Sequence, residues 1–137
     1  MGFKFEKLDV WNLSLEYSDL IYALAEKLPG HEKFNLRSQI TRSATSISLN
    51  IAEGSTGQSN QEQNRFLGMA VSSLIETIAC LRIITRRNYI PENAFLERID
   101  LKAQELAKRL FAFRKTLTPS KKSIGEEQPT YDTDILD

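Results

Sequence analysis

The chain has 137 residues, 41% of them apolar, with 18 basic and 18 acidic side chains. That length supports one domain around a modest core, and the zero net charge excludes the strongly basic balance that marks a nucleic-acid binder on composition alone. A single cysteine, Cys80, excludes an internal disulfide and a cysteine-based metal cluster, and its place inside an apolar segment reads as a buried structural thiol.

Charge is unevenly spread. Residues 118 to 137 carry two Lys and five Asp or Glu, which leaves 16 basic against 13 acidic side chains in residues 1 to 117. A basic footprint on the folded part must therefore come from local clustering or from repetition in an oligomer. No apolar run reads as approaching the roughly 20 residues that span a bilayer, and MGFKFEKLDVW lacks a signal-peptide core. The expectation is a cytoplasmic protein with no membrane partner.

From about Lys7 to Leu28, the residues Val10, Leu13, Tyr17, Leu20, Ile21, Leu24 and Leu28 share one helical face, and Pro29-Gly30 stops the helix. Trp11, Leu15 and Tyr22 line up on its far side around Ser18, a second apolar stripe that suggests a partner.

The second helix opens at Asn35, an N-cap type, and ends at Gly54, which suits the left-handed position after a helix. At 100° per residue, Gln39, Arg42, Ser43, Ser46, Asn50 and Glu53 fall within about 100° of arc beside an apolar stripe of Leu36, Ile40, Ala44, Ile47 and Ile51. The third face, Ser38, Thr41, Thr45, Ser48, Leu49 and Ala52, is nearly all small; it reads as packed closely against another backbone, or else as facing water. Glu53 stands at a carboxyl end, where the helix dipole disfavours it by about 0.3–1 kcal/mol, and Arg65 is the compensating cation nearest by geometry.

Ser59-Asn60-Gln61-Glu62 is a capping box that opens a third helix running to about Arg87. Between Phe66 and Leu81 only Glu76 is charged, and Leu67, Met69, Leu74, Ile75, Ile78 and Ile83 surround the axis. A helix of that kind asks for burial on more sides than one small bundle supplies. After Asn88-Tyr89-Ile90, Pro91 is placed to start a fourth helix whose apolar face is Phe95, Leu96, Ile99, Ala103, Leu106, Leu110, Phe113 and Leu117; Thr118-Pro119 ends it. No strand pattern and no internal repeat appears. The expected fold is all-α: an antiparallel up-down-up-down four-helix bundle over residues 1–118, followed by a mobile, flexible acidic tail over 119–137.

The polar stripe of the second helix has two readings. Gln39, Arg42, Ser46, Asn50 and Glu53, with Glu76 of the third helix, either bind a polar ligand or phosphate, or form a buried network that fixes the register of the two helices. The structural reading is favoured, because charges in a bundle interior must be paired. A fold-back at residues 55 to 58 sets Asn50 opposite residues 63 to 64, Ser46 opposite Gly68 and Arg42 opposite residues 71 to 72, one turn from Glu76.

Gln39-Ile40-x-Arg42, Ser46-Ile47-x-x-Asn50-Ile51-Ala52-Glu53-Gly54, and then Arg65-Phe66-Leu67, Ala70 and Ser73-Leu74-x-Glu76 resemble the bacterial four-helix-bundle proteins of the 23S rRNA intervening-sequence family, over about residues 5 to 117. Two departures show: Ser43 stands where the family usually has Ala, and Ser48-Leu49 replaces a common Pro-Ser. Neither removes a polar member of the motif. The resemblance implies the same bundle fold. Relatives are encoded within insertions of 23S rRNA genes, and more distant ones accompany retroelement reverse transcriptases, where a basic pentamer binds nucleic acid and the polymerase.

No nucleophile with a base, no carboxylate pair and no metal-ligand spacing stands out. His31, the one histidine, reads as a solvated loop residue, and no phosphate-binding glycine pattern occurs. No metal, cofactor or small-molecule substrate is expected. The function these features suggest is that of a non-enzymatic, oligomeric bundle binding RNA or another nucleic acid through a basic surface; the alternative is a protein-interaction scaffold with no nucleic-acid role. In the up-down-up-down arrangement Lys27, Lys33, Arg37, Arg86 and Arg87 gather at one end, and Lys4, Lys7, Arg65, Arg109, Arg114 and Lys115 at the other. The first group is the expected nucleic-acid surface, although such cations also complement helix carboxyl ends. Surplus apolar surface at Trp11, Leu15, Tyr22, Met69, Ile75 and Ile83 is expected to close a homo-oligomer. That it is a pentamer is implied by the resemblance alone.

Overall fold

The helical periodicities are realised as α1 (Asp9–Glu26), α2 (Leu36–Gly54), α3 (Asn60–Arg86) and α4 (Asn93–Leu117), with short 3-10 turns at Lys4–Lys7 and Gly30–Glu32. The computed structural model describes residues 2–57 and 59–119, so residues 120–137 of the expected tail lie outside the described residues. Each helix packs on the next in chain order and α4 returns to α1, which makes an antiparallel up-down-up-down ring of four. Among the described residues there is no strand.

The core is the apolar face that each periodicity defined. Ile21 and Leu24 of α1, Ile40, Ile47 and Ile51 of α2, Leu67, Leu74 and Ile84 of α3, and Ile99, Leu106 and Leu110 of α4 are fully buried. Each such side chain contributes about 1.5–3 kcal/mol relative to its exposed state. One polar link crosses the core diagonally. The Thr77 hydroxyl donates to the Leu74 carbonyl at 2.6 Å, which leaves the buried Tyr17 phenol to donate to Thr77 Oγ1 at 2.7 Å. Burial pushes the Tyr17 phenol up, so it acts as a neutral donor.

The small face of α2 meets α1: Ser48 Oγ lies 2.8 Å from Ser14 Oγ, and the Tyr22 hydroxyl lies 3.0 Å from Thr45 Oγ1. Leu49 alone of that face points out. The closest approach is between α2 and α3. Gly54 is the last residue of α2, not a left-handed cap, and the positive φ falls later, at Gly57 (90°). What requires glycine at 54 is space: a Cβ there would lie 2.9 Å from Phe66 Cβ and 3.4 Å from the Gln63 carbonyl oxygen.

The register also differs from the expected one. Ser73 Oγ donates to Ser46 Oγ at 2.9 Å, so Ser46 stands opposite Ser73 and not Gly68. The chain runs on past the end of α2 before it turns, and the first turn of α3 overshoots the hairpin. Only half of the expected capping box forms: the Glu62 amide donates to Ser59 Oγ at 3.1 Å, while the Glu62 carboxylate is bonded to Arg65. By length and composition alone α3 is long and apolar enough to cross a membrane, contrary to expectation, because Gly68, Ser72, Ser73 and Thr77 interrupt the apolar run without adding charge.

Gly54→Ala tests the close approach. Alanine gains about 1 kcal/mol of helix propensity over glycine, yet the contact with the stiff base of Phe66 outweighs it, and a net loss of about 1–3 kcal/mol is expected in denaturant unfolding. Gly30→Ala, which meets nothing within 4 Å, serves as the control.

Candidate nucleic-acid interface

The site is built where α1 ends, α2 begins, α3 ends and α4 begins, and a buried carboxylate ties those segments together. Glu32 Oε2 accepts from the Tyr89 hydroxyl at 2.7 Å, and Oε1 accepts from Asn35 Nδ2 at 3.0 Å and from the Leu36 amide at 3.5 Å. Glu32 thus caps α2, and the Asn35 side chain, the cap expected from sequence, serves to hold Glu32. Tyr89 is aimed by Asn88, whose left-handed backbone (φ 57°) closes the end of α3, with the Tyr89 amide donating to the Ile84 carbonyl at 3.4 Å. Because the Tyr89 proton is committed to a carboxylate, its oxygen is the acceptor for His31 Nε2–H at 3.1 Å. The Tyr89 hydrogen bond holds the Glu32 carboxyl below the usual carboxylate range, and Glu32 in turn pushes the Tyr89 phenol up.

Around this tie stand the five expected cations. Two are neutralised within the chain: Lys27 Nζ lies 3.7 Å from Glu92 and over the Phe95 ring, and Arg37 lies 3.1 Å from Glu26. Lys33, Arg86 and Arg87 make no ion pair among the described residues. Arg86 and Arg87, with Ile83 and Tyr89, line an open depression of about 530 Å³. Lys33 lies over the ring of Phe34, 5.3 Å from its centroid, and that ring is 86% exposed. At the opposite end, Arg65 is bound to Glu62 at 2.6 Å, Arg109 pairs with Asp9, and Arg114 Nε donates to Asn64 Oδ1 at 2.8 Å across Gly68. Lys4, Lys7 and Lys115 there are exposed.

The expected buried network is corrected in part. Ser46, Asn50 and Ser73 are joined, with Asn50 Nδ2 donating to the Ser46 carbonyl at 2.9 Å and to its Oγ at 3.2 Å. Gln39, Arg42, Glu53 and Glu76 are exposed, and among the described residues their side chains make no hydrogen bond or ion pair. Their charges keep their hydration, so nothing forces them to pair. Arg65, assigned by geometry to Glu53, is held by Glu62 one turn away on its own helix.

The expected interface residues divide as well. Leu15, Tyr22, Met69 and Ile83 are exposed, whereas Trp11 and Ile75 are half-buried within the chain, Trp11 edge-on to Phe5 at 4.6 Å. Glu32, Tyr89 and Phe34 were not singled out from sequence. The available signal for Phe34 was a Lys-Phe pair in a short connection, outside the apolar periodicity of either flanking helix.

The fold defines a small all-α protein, a four-helix bundle with Arg86 and Arg87 at an open depression on one end. The chain belongs to the family described as 23S rRNA-intervening sequence protein, which matches residues 6–127. It is also similar to the crystal structure of a protein of unknown function from the S23 ribosomal protein family of Bacteroides thetaiotaomicron, at 33% identity and a TM-score of 0.70, covering 77% of this chain and 98% of that one. Comparison with curated proteins gives no match.

Glu32→Gln tests the tie. A carboxyl whose folded pKa lies below its unfolded value (about 4.3 for Glu) stabilises the fold fully at neutral pH, and that contribution is lost as pH falls through the folded value. Thermal melts of the variant should therefore fall below wild type at pH 7, and the gap should narrow below about pH 4.

Proposed function

We propose that the protein is a non-enzymatic, self-associating helical bundle that binds RNA phosphates at the end carrying Lys33, Arg86 and Arg87. The observation that carries the reading is that these three cations have no carboxylate partner among the described residues while Lys27 and Arg37 beside them do. Cations without a carboxylate partner, two of them lining an open depression, are free to exchange counterions for phosphate. We take RNA as the polyanion to test first because the family's description names 23S rRNA.

The test is fluorescence anisotropy with a single-stranded RNA at several salt concentrations. Arg86→Gln together with Arg87→Gln should weaken binding and lower the slope of log Kobs against log salt by about 1.4, two contacts at roughly 0.7 each. A wild-type chain that binds no RNA at low salt rejects the RNA reading and favours the scaffold.

Self-association rests on the outer seam of α2 and α3. Leu49 is 59% exposed, Met69 and Ile83 are exposed, and the uncompensated Arg42, Glu53 and Glu76 are exposed on the same two helices. In a closed ring Arg42 can pair with a carboxylate of the neighbouring copy, and the apolar residues are buried by symmetry. A pentamer is the state we favour. Sedimentation velocity at micromolar concentration should show an oligomer for the wild type and a monomer for Leu49→Glu with Met69→Glu; a monomeric wild type rejects the ring.

A further inference from the structure

We infer that Phe34 is a stacking platform for an unpaired base, so that the basic end selects single-stranded over duplex RNA; this rests on the RNA-binding reading above. Phe34 contributes almost nothing to the core, since 86% of it is exposed, more than any other large apolar residue among those described. A ring so placed has no folding role that explains it. It is also firmly presented. The Lys33 amide donates to the Gly30 carbonyl at 3.1 Å and the Asn35 amide to the Glu32 carbonyl at 3.1 Å, while the Glu32 carboxylate is fixed by Tyr89, Asn35 and Leu36. The ring therefore stands on a segment bonded on both sides, and little ordering is left to be done on binding.

Its surroundings name the ligand. Lys33 Nζ lies 5.3 Å from the ring centroid, where it neutralises a phosphate next to a stacked base, and the cations of the depression, Arg86 and Arg87, stand beyond Tyr89 on the same end. His31, exposed, lies edge-on to Tyr89 at 5.8 Å and is hydrogen-bonded to its hydroxyl. Aromatic faces interleaved with cations suit a strand whose bases are splayed out. A duplex keeps its bases in its own stack and offers the ring nothing but backbone. A protein partner for an exposed phenylalanine meets an apolar surround, whereas the group placed against Phe34 is the Lys33 ammonium.

The probes are fluorescein-labelled oligouridylate of twelve nucleotides and a twelve-base-pair RNA duplex, titrated into the full chain at low salt. Phe34→Ala is expected to keep the wild-type melting curve and oligomeric state, to lose about 5- to 150-fold in affinity for the single strand, and to bind the duplex unchanged. Phe34→Trp should restore single-strand binding, and an oligonucleotide carrying 5-iodouridine should photocrosslink to the peptide containing Phe34 in the wild type. Equal binding of the single strand by wild type and Phe34→Ala overturns the stacking role and leaves the RNA reading standing. Loss of both probes to the same extent in Phe34→Ala overturns the single-strand selectivity. An oligomer dissociated by Phe34→Ala with single-strand affinity intact makes the ring a subunit contact and overturns the proposal. Absence of binding by the wild type to either probe rejects the RNA reading itself.

Discussion

The close approach of α2 to α3 is the constraint on which the rest of the arrangement depends. With serines at 46 and 73 the two helices come near enough for a hydroxyl to bridge them, and at Gly54 even a Cβ would lie 2.9 Å from Phe66 Cβ. Arg42, Leu49 and Glu53 of α2 and Met69 and Glu76 of α3 lie on the sides of the two helices away from the core and are exposed. The same contact fixes the level of α3 against α2, and through it the height at which Arg86, Arg87 and Tyr89 emerge beside the start of α2.

At the far end of that hairpin from its turn, the bundle faces a different problem. Two connections meet where cations have collected, and a bare cluster of them repels itself. Glu32 answers this by placing one carboxylate below the surface, bonded to both connections across 57 residues of sequence. The negative charge is spent on Tyr89, Asn35 and a helix amide and does not form an ion pair with Arg86 or Arg87. Lys27 and Arg37, by contrast, are tied down by Glu92 and Glu26. The end is thus rigid and still positive.

Helix type and order were legible because each apolar face repeats at the helical period and the starts and stops are marked: Pro29-Gly30, Ser59 with Glu62, Asn88 and Pro91. Register was not, because a short connection bounds how far two helices can slide without saying where they stop; the overshoot of α3 moved Ser46 from Gly68 to Ser73. The polar stripe misled for a related reason. An arc of 100° beside a core stripe lies half in and half out of the bundle, and only the spacing of the neighbouring helix decides which half is wet. Ser46 and Asn50 fell at the half-buried edge and Gln39, Arg42 and Glu53 outside. Gly54 carried a true signal read for the wrong reason, since glycine serves equally for a left-handed turn and for a tight contact. Glu32 with Tyr89 was out of reach, as no local pattern joins residues so far apart.

The direction of the four helices has a practical consequence. α1 starts and α4 finishes at the end opposite Lys33, Arg86 and Arg87. A fluorophore, an affinity handle or a surface anchor attached before Lys4 or after Leu117 therefore joins the bundle on the side away from those cations. Immobilised through either attachment, the molecule stands with Lys33, Arg86 and Arg87 toward solution.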